Sequence, residues 1–287
     1  MDLLNALLQG ILLGGVFALF ASGLSIMFGV MRIVNLAHGD LAVLAAFIAM
    51  IALTHTRLPI WALVVIAPAF GLLGYIMQRL LITPSLNAGP IATLVATFGL
   101  SIVIQNALIE QFSADVRSLD VGNLATASIN LGAGIDLPLV GILGLGTAIS
   151  VIGGMQVFLS RTRTGRMMRA ASDDVETAAL TGANARHIYA IATAIAFSTL
   201  ALAGILLGAR SSFSPTAGTL ILIFAFEAVV IGGLGSLWGT LLGGLILGLT
   251  QSAVAYYDPA QAILAGHLVF LAVLAFRPQG LIPARSV

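Results

Sequence analysis

Long apolar segments separated by short polar ones dominate the chain. About nine of them are long enough, or nearly long enough, to cross the hydrocarbon core of a bilayer. Open strands would leave backbone groups unpaired in lipid, and the runs 63–77 and 220–233 lack the alternation of barrel strands. The pattern predicts an all-α polytopic membrane protein with about eight or nine transmembrane helices in a single domain, 1–287. The apolar segments lie near 3–31, 33–53, 60–80, 91–109, 138–159, 188–209, 219–233, 237–256 and 261–276.

Two interruptions predict broken or re-entrant helices. The first runs from Asn35 to Asp40, and the apolar run after it, 41–53, is shorter than the ~20 residues of a spanning helix. We expect this helix to start inside the membrane, with Asn35 or Asp40 near its N-terminus. The second is the glycine-rich turn after Gly232. Non-helical backbone at this depth must be buried in protein or line a cavity, so both breaks are candidates for a translocation pathway.

The pathway candidates are eight residues in these breaks and Glu227. Glu227 joins them because a carboxylate within an apolar run must be protonated, paired with an arginine or solvated by a cavity. Arg32 is near enough in sequence to pair with Asp40. For His38 and Asp40, a structural role as a carbonyl-bonded histidine and a helix cap is an equal alternative. The candidates are Asn35, His38, Gly39, Asp40, Glu227, Gly232, Gly233, Gly235 and Ser236.

Other polar and small residues within the apolar runs favour contacts between helices. Gln105, Asn106 and His267 are expected to form interhelical hydrogen bonds. Glycines also recur at intervals of four residues, which favours close helix packing over direct contact with a substrate. These sets are Gly10 and Gly14, Gly204 and Gly208, and Gly235, Gly239 and Gly243.

Composition excludes several classes of protein. Only 8% of the residues are charged, which no soluble domain matches at this apolar content. Cysteine is absent and the histidines are scattered, so the sequence offers no disulfide, no metal-site motif and no hydrolase motif. All 12 basic residues are arginine, and a Walker A loop needs a lysine, so any ATP and magnesium must bind to partner chains. The N-terminus lacks the basic segment of a signal peptide, and the first apolar run is expected to remain in the mature protein.

The placement of arginines predicts the orientation. Arg79, a cluster that starts at Arg161, and Arg277 follow the third, fifth and ninth apolar segments. They fall on one side if each segment crosses once, and the positive-inside rule makes that side cytoplasmic. The acidic segment 110–137 falls on the other side. We therefore expect an external N-terminus and a cytoplasmic C-terminus.

A polar island, residues Arg161–His187, lies on the predicted cytoplasmic side. Its arginines precede an acidic, alanine-rich stretch that predicts a short helix. Ser172 is the expected N-cap, Asp173 and Glu176 have the spacing of a capping box, and Gly182 is expected to end the helix. An ordinary solvated loop that carries positive-inside arginines is the alternative.

One face of this short helix is predicted to be apolar. Val175, Ala178 and Ala179 are expected to share it with Met168 and Ala171, and the small residues would let another protein's backbone come close.

The spacing in the island resembles a known signature. Glu176, Thr177 and Ala178, followed after three residues by Gly182, are similar to the Glu-Ala-Ala-x-x-x-Gly motif of ABC importer permeases. The phrase TGRMMRAASDDVETAALTGAN (164–184) resembles the permeases of branched-chain amino acid ABC importers, the LivH type. The resemblance covers essentially the whole chain, through MFGVMRIVNLAHGD (27–40), EAVVIGGLGSLWGTLLGGLILG (227–248) and AFRPQGL (275–281).

This resemblance implies a non-catalytic permease subunit in a bacterial inner membrane, surrounded by lipid. The implied partners are a second, LivM-like permease, two ABC ATPase subunits and a periplasmic substrate-binding protein, with no nucleic acid. In such permeases the island (161–187) is a coupling loop whose helix rests in a groove of the ATPase. The implied ATPase-coupling residues are Gly165, Arg166, Asp173, Asp174, Glu176, Ala178 and Gly182.

Two questions stay open at the level of sequence. Members of this family carry branched-chain and other amino acids, urea, short amides, or aromatic and other carboxylates. An amino acid could direct its carboxylate at a half-helix N-terminus and its ammonium group at Glu227. Broken helices and intramembrane carboxylates suit a self-sufficient secondary transporter or channel equally well, and a non-transporting membrane scaffold is a weaker alternative.

Overall fold

The computed structural model describes residues 3–56, 60–130, 132, 135–180 and 182–283, and helices make up most of this part of the chain. Every predicted apolar segment contains a helix. The α-helices are α1 (Leu3–Met31), α2 (His38–Thr56), α3 (Ile66–Met77), α4 (Thr83–Asn87), α5 (Pro90–Phe112), α6 (Leu139–Arg161), α7 (Arg163–Asp173), α8 (Val175–Leu180), α9 (Ala185–Arg210), α10 (Gly218–Gly232), α11 (Leu237–Tyr257) and α12 (Ala262–Phe276).

Shorter elements connect these helices. A π-helical turn, Gln78–Ile82, joins α3 to α4, so the two form one continuous span. Short 3-10 helices lie at Ile60–Val65, Gly122–Leu124 and Pro259–Gln261. Strands β1 (Ser128–Asn130) and β2 (Asp136–Pro138) pair antiparallel in a small hairpin before α6, which the sequence pattern did not predict.

The expected class of fold is confirmed. Within the described residues, seven helical segments are long and apolar enough to cross a membrane. The two shorter apolar helices are α2 and α10. The count of seven long and two short apolar helices matches the prediction of about nine segments, two of them incomplete.

The bundle has two ends, which α6 connects. The hairpin end carries β1 and β2, and the island end carries α7 and α8. α1 starts at the hairpin end, where the Gln9 side chain donates to the carbonyl oxygen of Asp136. The C-terminal segment lies at the other end of the bundle, where Leu281 bonds to the last turn of α10. This relative arrangement is the expected one, and which end is cytoplasmic stays a prediction.

α2 is a half-helix that starts inside the bundle. After Met31 the chain turns back without helical structure for six residues (32–37). It returns far enough for the His38 ring to bond to the carbonyl oxygen of Phe20, about three turns before the end of α1. α2 then runs towards the hairpin end, where Phe47 stacks on Phe112 of α5 and meets Phe213 edge-on.

α10 is the second half-helix, and it runs the opposite way. Phe213 lies at the hairpin end, bridged to Arg117, and the chain then descends without helical structure to Gly218. A Cβ atom on Gly218 would overlap the Asp40 side chain, so α10 starts beside the start of α2. It runs to the island end, where the turn that follows it meets Gly29 near the end of α1.

Glycines set the closest helix contacts. A Cβ atom on Gly14 would lie 2.6 Å from the Cα of Leu245, and one on Gly10 would lie 2.9 Å from the carbonyl oxygen of Gly248, so α1 packs against α11 almost backbone to backbone. The predicted role of glycine spacing in packing is thereby confirmed for this pair. Gly239 and Gly243 pack on α10 in the same way, whereas Gly235 lies in the preceding turn with a positive φ.

Several helices present large apolar side chains on the outside of the bundle. Examples are Leu72 on α3, Phe98 on α5, Leu143 on α6 and Leu271 on α12, which are all exposed. Faces of this kind fit lipid or another membrane subunit.

Candidate functional site

The first candidate site is the junction where α2 and α10 begin. Asp40, in the first turn of α2, is buried, and its carboxylate accepts hydrogen bonds from Ser101 (2.5 Å) and Gln105 (2.9 Å) of α5. Ser101 is the middle residue of α5, so this carboxylate lies near mid-depth in the bundle. Gln105 also reaches Thr219 of α10, at 3.4 Å. Asp40 therefore connects both half-helices to a spanning helix.

The predicted pairing of Asp40 with Arg32 is wrong. Arg32 is exposed, with a positive φ of 54° at the end of α1, whereas Asp40 is bonded to α5. The segment after Met31 carries Asp40 back into the bundle, away from the end where Arg32 lies. Because the chain reverses here, Arg32 and Asp40 are close in sequence but apart in space.

Asn35 and His38 organise the start of α2. The Asn35 side chain accepts from the backbone N–H of Ala37, and its carbonyl group accepts from that of His38. The His38 Nε2 atom lies 2.9 Å from the carbonyl oxygen of Phe20, so Nε2 must donate. The expected structural role of this histidine is thus seen, and contact with a substrate stays a prediction.

Two buried polar atoms at this break lack partners among the described residues. They are the Nδ2 atom of Asn35, which is a donor, and the Nδ1 atom of His38, which is an acceptor in the neutral ring. Both side chains are fully buried. These two atoms are close in sequence, and one is a donor and the other an acceptor. Such pairs are typical of sites that hold an ordered water.

Gly39 makes the crossing of the two half-helices possible. A Cβ atom at this position would overlap the carbonyl oxygen of Gly218. The two helix starts therefore meet backbone to backbone, which only glycine at both positions permits. Gly39 acts through packing in this structure.

Glu227 is paired with a histidine and not with an arginine. It lies buried in α10, and its Oε1 atom bonds to Nδ1 of His267 on α12. Its Oε2 atom is buried without a partner among the described residues. The predicted interhelical role is confirmed for His267 and for Gln105, whereas the Asn106 side chain donates to the carbonyl oxygen of Ile102 in its own helix.

The glycine-rich break lies at the island end and is packed by the C-terminal segment. Gly233 and Gly235 have positive φ values of 117° and 80°, and the Ser236 hydroxyl accepts from the N–H of Gly239 at the start of α11. The N–H groups of Leu281 and Ile282 donate to the last carbonyl groups of α10, both at 2.9 Å.

This second break therefore lies far from the Asp40 junction. A Cβ atom on Gly233 would lie 2.5 Å from the carbonyl oxygen of Ile282, and one on Gly232 would overlap Gly239. The structure does not bring the two predicted breaks together.

The second candidate site is the polar island, which forms two helices and not one. α7 starts with Thr162 as its N-cap, whose side chain accepts from the N–H of Gly165. Gly165 lies against the backbone of Phe158 and Leu159, where a side chain would not fit. Met168 and Ala171 are buried against the bundle. α7 is therefore attached firmly to the island end of α6.

The predicted cap of the second helix is wrong by two residues. Ser172 lies inside α7 and donates to Arg169, and Asp173 is the last residue of α7. Asp174 is the cap, because its carboxylate accepts from the N–H groups of Glu176 and Thr177 and from the Thr177 hydroxyl. These bonds, above all those of Thr177, hold the pKa of Asp174 below its usual value. Three consecutive candidates, 172–174, made the choice ambiguous from sequence.

The end of α8 is the expected one. Gly182 has a φ of 86°, its N–H donates to Ala179, and the N–H of Ala183 donates to Ala178. This pair of bonds is the Schellman motif. Ala178 is buried against the bundle, so it holds α8 in place.

The exposed surface of α8 differs from the predicted apolar face. Val175, Glu176 and Ala179 are exposed, and Leu180 is 88% exposed. Leu180 was not among the predicted residues. Its signal in the sequence is an apolar residue two positions before the helix-ending Gly182, and its exposure follows only from the structure. Arg166 and Asp173 are also exposed and lie on α7.

Neither candidate site groups side chains that could hold a metal ion in the part of the chain that the structure describes. Among the described residues, no three histidine, aspartate or glutamate side chains are grouped so that they could hold a metal ion. The first site consists of the half-helices α2 and α10, which hydrogen bonds join through α5. The second site presents the short helix α8 at the island end.

Comparisons with known proteins agree with this arrangement. The profile of the family described as "Branched-chain amino acid transport system / permease component" matches residues 6–276. The chain is 31% identical to the high-affinity branched-chain amino acid transport system permease protein BraD of Pseudomonas aeruginosa, over 97% of this chain and 95% of that protein. It is 28% identical to LivH of Escherichia coli K12 over the same shares of each chain.

A solved structure shows a similar fold. PsaBC from Streptococcus pneumoniae, in complex with Fab, superposes with a TM-score of 0.51 at 14% identity, covering 97% of this chain and 93% of that chain. At this identity the likeness concerns the fold alone.

Proposed function

Because the chain belongs to the family of branched-chain amino acid transport permeases, we propose that its polar island receives the movement of a separate ATPase subunit. The chain is a multi-pass, non-catalytic permease subunit of an ABC importer of this family. ATP hydrolysis must be supplied from elsewhere, since the sequence has no lysine for a Walker A loop. α7 and α8 are the part of the described chain that suits this contact.

One observation supports the proposal above others: α8 is preformed yet exposed. Asp174 caps its start and the Schellman motif closes its end, so the helix needs no partner to fold. Leu180 nevertheless exposes 88% of its surface, next to polar residues. A rigid helix with an exposed apolar residue is suited to a groove on another protein, because little conformational entropy is lost on binding.

The contacts of α7 indicate how movement would reach the half-helices. α7 packs against α6 and also touches α1 and α9. α1 leads directly into the break before α2, and α9 leads into the descent before α10. A displacement of α7 would therefore act on both helices that hold the Asp40 junction. Alternating access would follow from the rearrangement of α2 and α10 around that junction.

Membership of the family supports a proposal for the remaining partners and for the substrate. We place this chain in a bacterial inner membrane, beside a second, LivM-like permease, with two ATPases and a periplasmic binding protein. The named relatives transport branched-chain amino acids, which makes leucine, isoleucine and valine the first substrates to test. Urea, amides and other carboxylates serve as competitors in the same assay.

Substitutions on α8 test the ATPase contact. Leu180→Glu and Glu176→Arg are expected to abolish co-purification of the ATPase subunits and ATP-dependent leucine uptake in proteoliposomes. Gly182→Pro is expected to do the same, because proline cannot adopt the positive φ of this position. Val116→Glu is the matched control, since Val116 is also exposed but lies beyond α5 at the hairpin end.

Two results would contradict this assignment. Normal ATPase co-purification and uptake in the α8 variants would show that the island is not the contact. Uptake by the purified chain alone, driven by an ion gradient without ATPase subunits, would favour a secondary transporter.

A further inference from the structure

Four exposed arginines follow one another closely where α6 ends and α7 begins: Arg161, Arg163, Arg166 and Arg169. Among the described residues, none of them forms an ion pair with a carboxylate. The acidic residues of the island lie further along the chain, where Asp174 caps α8. This arginine patch therefore carries positive charge that the subunit itself does not neutralise.

The start of the arginine patch is held beside the end of α6. Arg161 is the last residue of α6, and the Nη1 atom of Arg166 donates to the backbone carbonyl oxygen of Arg161, at 3.1 Å. Thr162 both ends α6 and caps α7, and Gly165 packs against the backbone of the last turn of α6. α7 thus folds back on α6 without a loop, which keeps Arg163 and Arg166 next to Arg161.

The length of α6 places the start of the patch among lipid headgroups. α6 has 23 residues, so it is about 34 Å long and exceeds the ~30 Å hydrocarbon core of a bilayer. Its outward side meets the membrane, since Leu143, Ile149 and Val157 are exposed. Arg161 lies one turn after Val157 on the same side. The phosphate groups of neighbouring lipids lie at that depth.

The outward side of α6 is smooth within the membrane. Gly146, Ser150 and Gly154, which we call the smooth stripe, follow at intervals of four residues and are exposed. A Cβ atom on Gly146 or Gly154 would meet no other atom within 4 Å. Along the helix axis, Gly154 lies about 10 Å and Gly146 about 22 Å from Arg161, so the stripe reaches the midplane of the core, which is ~15 Å deep. An acyl chain fits along it, and so would another helix.

The charge at the end of the smooth stripe favours a lipid over a helix. Arginine binds phosphate oxygens through two parallel hydrogen bonds. A phospholipid supplies the phosphate at headgroup depth and the acyl chain below it. A zwitterionic headgroup would bring its own cation next to the arginines, so an anionic headgroup is favoured. Basic clusters that directly follow a spanning helix recognise anionic lipids in this way.

We propose that Arg161 and Arg163, with the charge of Arg166 beside them, bind the headgroup of an anionic phospholipid whose acyl chain lies along the smooth stripe of α6. The proposal goes beyond the proposed function and does not depend on the ATPase contact, for which α8 offers the exposed surface. The lipid attaches the start of α7 to the membrane surface and leaves α8 free to bind another protein.

Native mass spectrometry of the intact permease–ATPase complex in a nonionic detergent tests this site. The probes are dipalmitoylphosphatidylglycerol, which is anionic, and dipalmitoylphosphatidylcholine, which is zwitterionic and has the same acyl chains. The wild-type complex is expected to bind the anionic lipid more tightly. Arg161→Gln combined with Arg163→Gln is expected to weaken that binding by roughly tenfold or more and to leave the binding of the zwitterionic lipid unchanged.

Arg32→Gln combined with Arg186→Gln is the matched control. It removes the same charge from two exposed arginines. Arg32 follows α1 and Arg186 lies in the first turn of α9, and both helices are mostly buried in the bundle and not in contact with lipid. This variant is expected to keep the preference for the anionic lipid.

Gly154→Phe tests the position of the acyl chain. The ring would project into the smooth stripe, so the binding of dipalmitoylphosphatidylglycerol is expected to fall severalfold. Dihexanoylphosphatidylglycerol has the same headgroup on short chains, and it is expected to bind this variant as it binds the wild type, which also shows that the arginine patch is intact. Val95→Phe, on the exposed side of α5, is the control.

Three results would overturn the site: equal binding of the two dipalmitoyl lipids to the wild type, equal losses in the two arginine double variants, or unchanged binding of the anionic lipid in Arg161→Gln with Arg163→Gln. Loss of the ATPase subunits from that last variant with unchanged lipid binding would assign the arginines to a protein contact instead. Unchanged binding of dipalmitoylphosphatidylglycerol in Gly154→Phe would refute the acyl-chain position. ATP-dependent uptake by the wild-type complex tests the proposed function separately, so the two proposals can fail independently.

Discussion

Glu227 shows how a carboxylate is accommodated in an apolar helix. Its partner is His267 on α12, a helix of which Gly266 is the one buried residue. The pair links α10 to α12 through a bond between a fully buried group and a partly exposed one. Removing one member would leave the other without its partner in an apolar setting, and this imbalance decides the effect of each substitution.

A double-mutant cycle at this pair is expected to show strong coupling. His267→Ala leaves the buried Glu227 side chain without its hydrogen-bond partner, which costs about 1–3 kcal/mol for an unsatisfied buried polar group. Glu227→Gln should be milder, and it should recover much of the loss when added to His267→Ala. Thermal unfolding of the detergent-solubilised subunit measures both effects. Additive changes in stability would show that the two side chains act independently.

At the scale of single residues, the sequence identified the polar groups but not their partners. Asp40, Glu227, Gln105 and His267 all stand out because they interrupt apolar runs. The predicted partner of Asp40 was wrong because the observed partner, Ser101, is 61 positions away in the chain. A pairing of this kind depends on which helices become neighbours, and no local pattern encodes that.

At the scale of elements, α8 depends on its cap. Asp174 binds two backbone N–H groups and the Thr177 hydroxyl, and its pKa is lowered by these bonds. A carboxylate with a lowered pKa in the folded state stabilises the fold above its unfolded pKa and loses this effect as the pH falls through the folded value. The cap is therefore fully formed at neutral pH.

Substitutions are expected to show that Asp174, and not a neighbouring residue, caps α8. Asp174→Ala removes the acceptor for the first turn of α8 and should weaken ATPase co-purification. Asp174→Asn should restore it, because asparagine caps helices about as well. Ser172→Ala is the control, since this hydroxyl only bonds within α7. Equal losses in Ser172→Ala and Asp174→Ala would contradict the observed cap.

At the scale of the whole molecule, the two half-helices determine the architecture. α2 and α10 start together beside Asp40 and leave in opposite directions, with 19 and 15 residues against 23 in α5 and 26 in α9. Around them, α1, α5, α9 and α11 provide continuous helices against which they can move. Discontinuous helices that meet near mid-depth are typical of the substrate sites of transporters.

The absence of cysteine makes the orientation directly measurable. Ser172→Cys on the island and Ser118→Cys at the hairpin end each introduce a single thiol. In right-side-out vesicles, a membrane-impermeant maleimide is expected to label Ser118→Cys only. After permeabilisation, both should react. Labelling of Ser172→Cys from outside would reverse the predicted orientation and refute the ATPase contact.

The sequence by itself determined the class of fold, the nine apolar segments, the break at Asn35–Asp40 and the end of α8 at Gly182. These follow from local physics: the length of apolar runs, the cost of unpaired backbone in lipid and the positive φ of glycine. Only the tertiary structure decided that 211–217 re-enters the bundle, that Asp40 bonds to α5, and that the second break packs against Ile282. The physical reason is that helix neighbours are chosen by packing between segments that are distant in the chain. Because the helices are similarly apolar, the sequence allows several pairings of helices, and only the assembled bundle selects one of them.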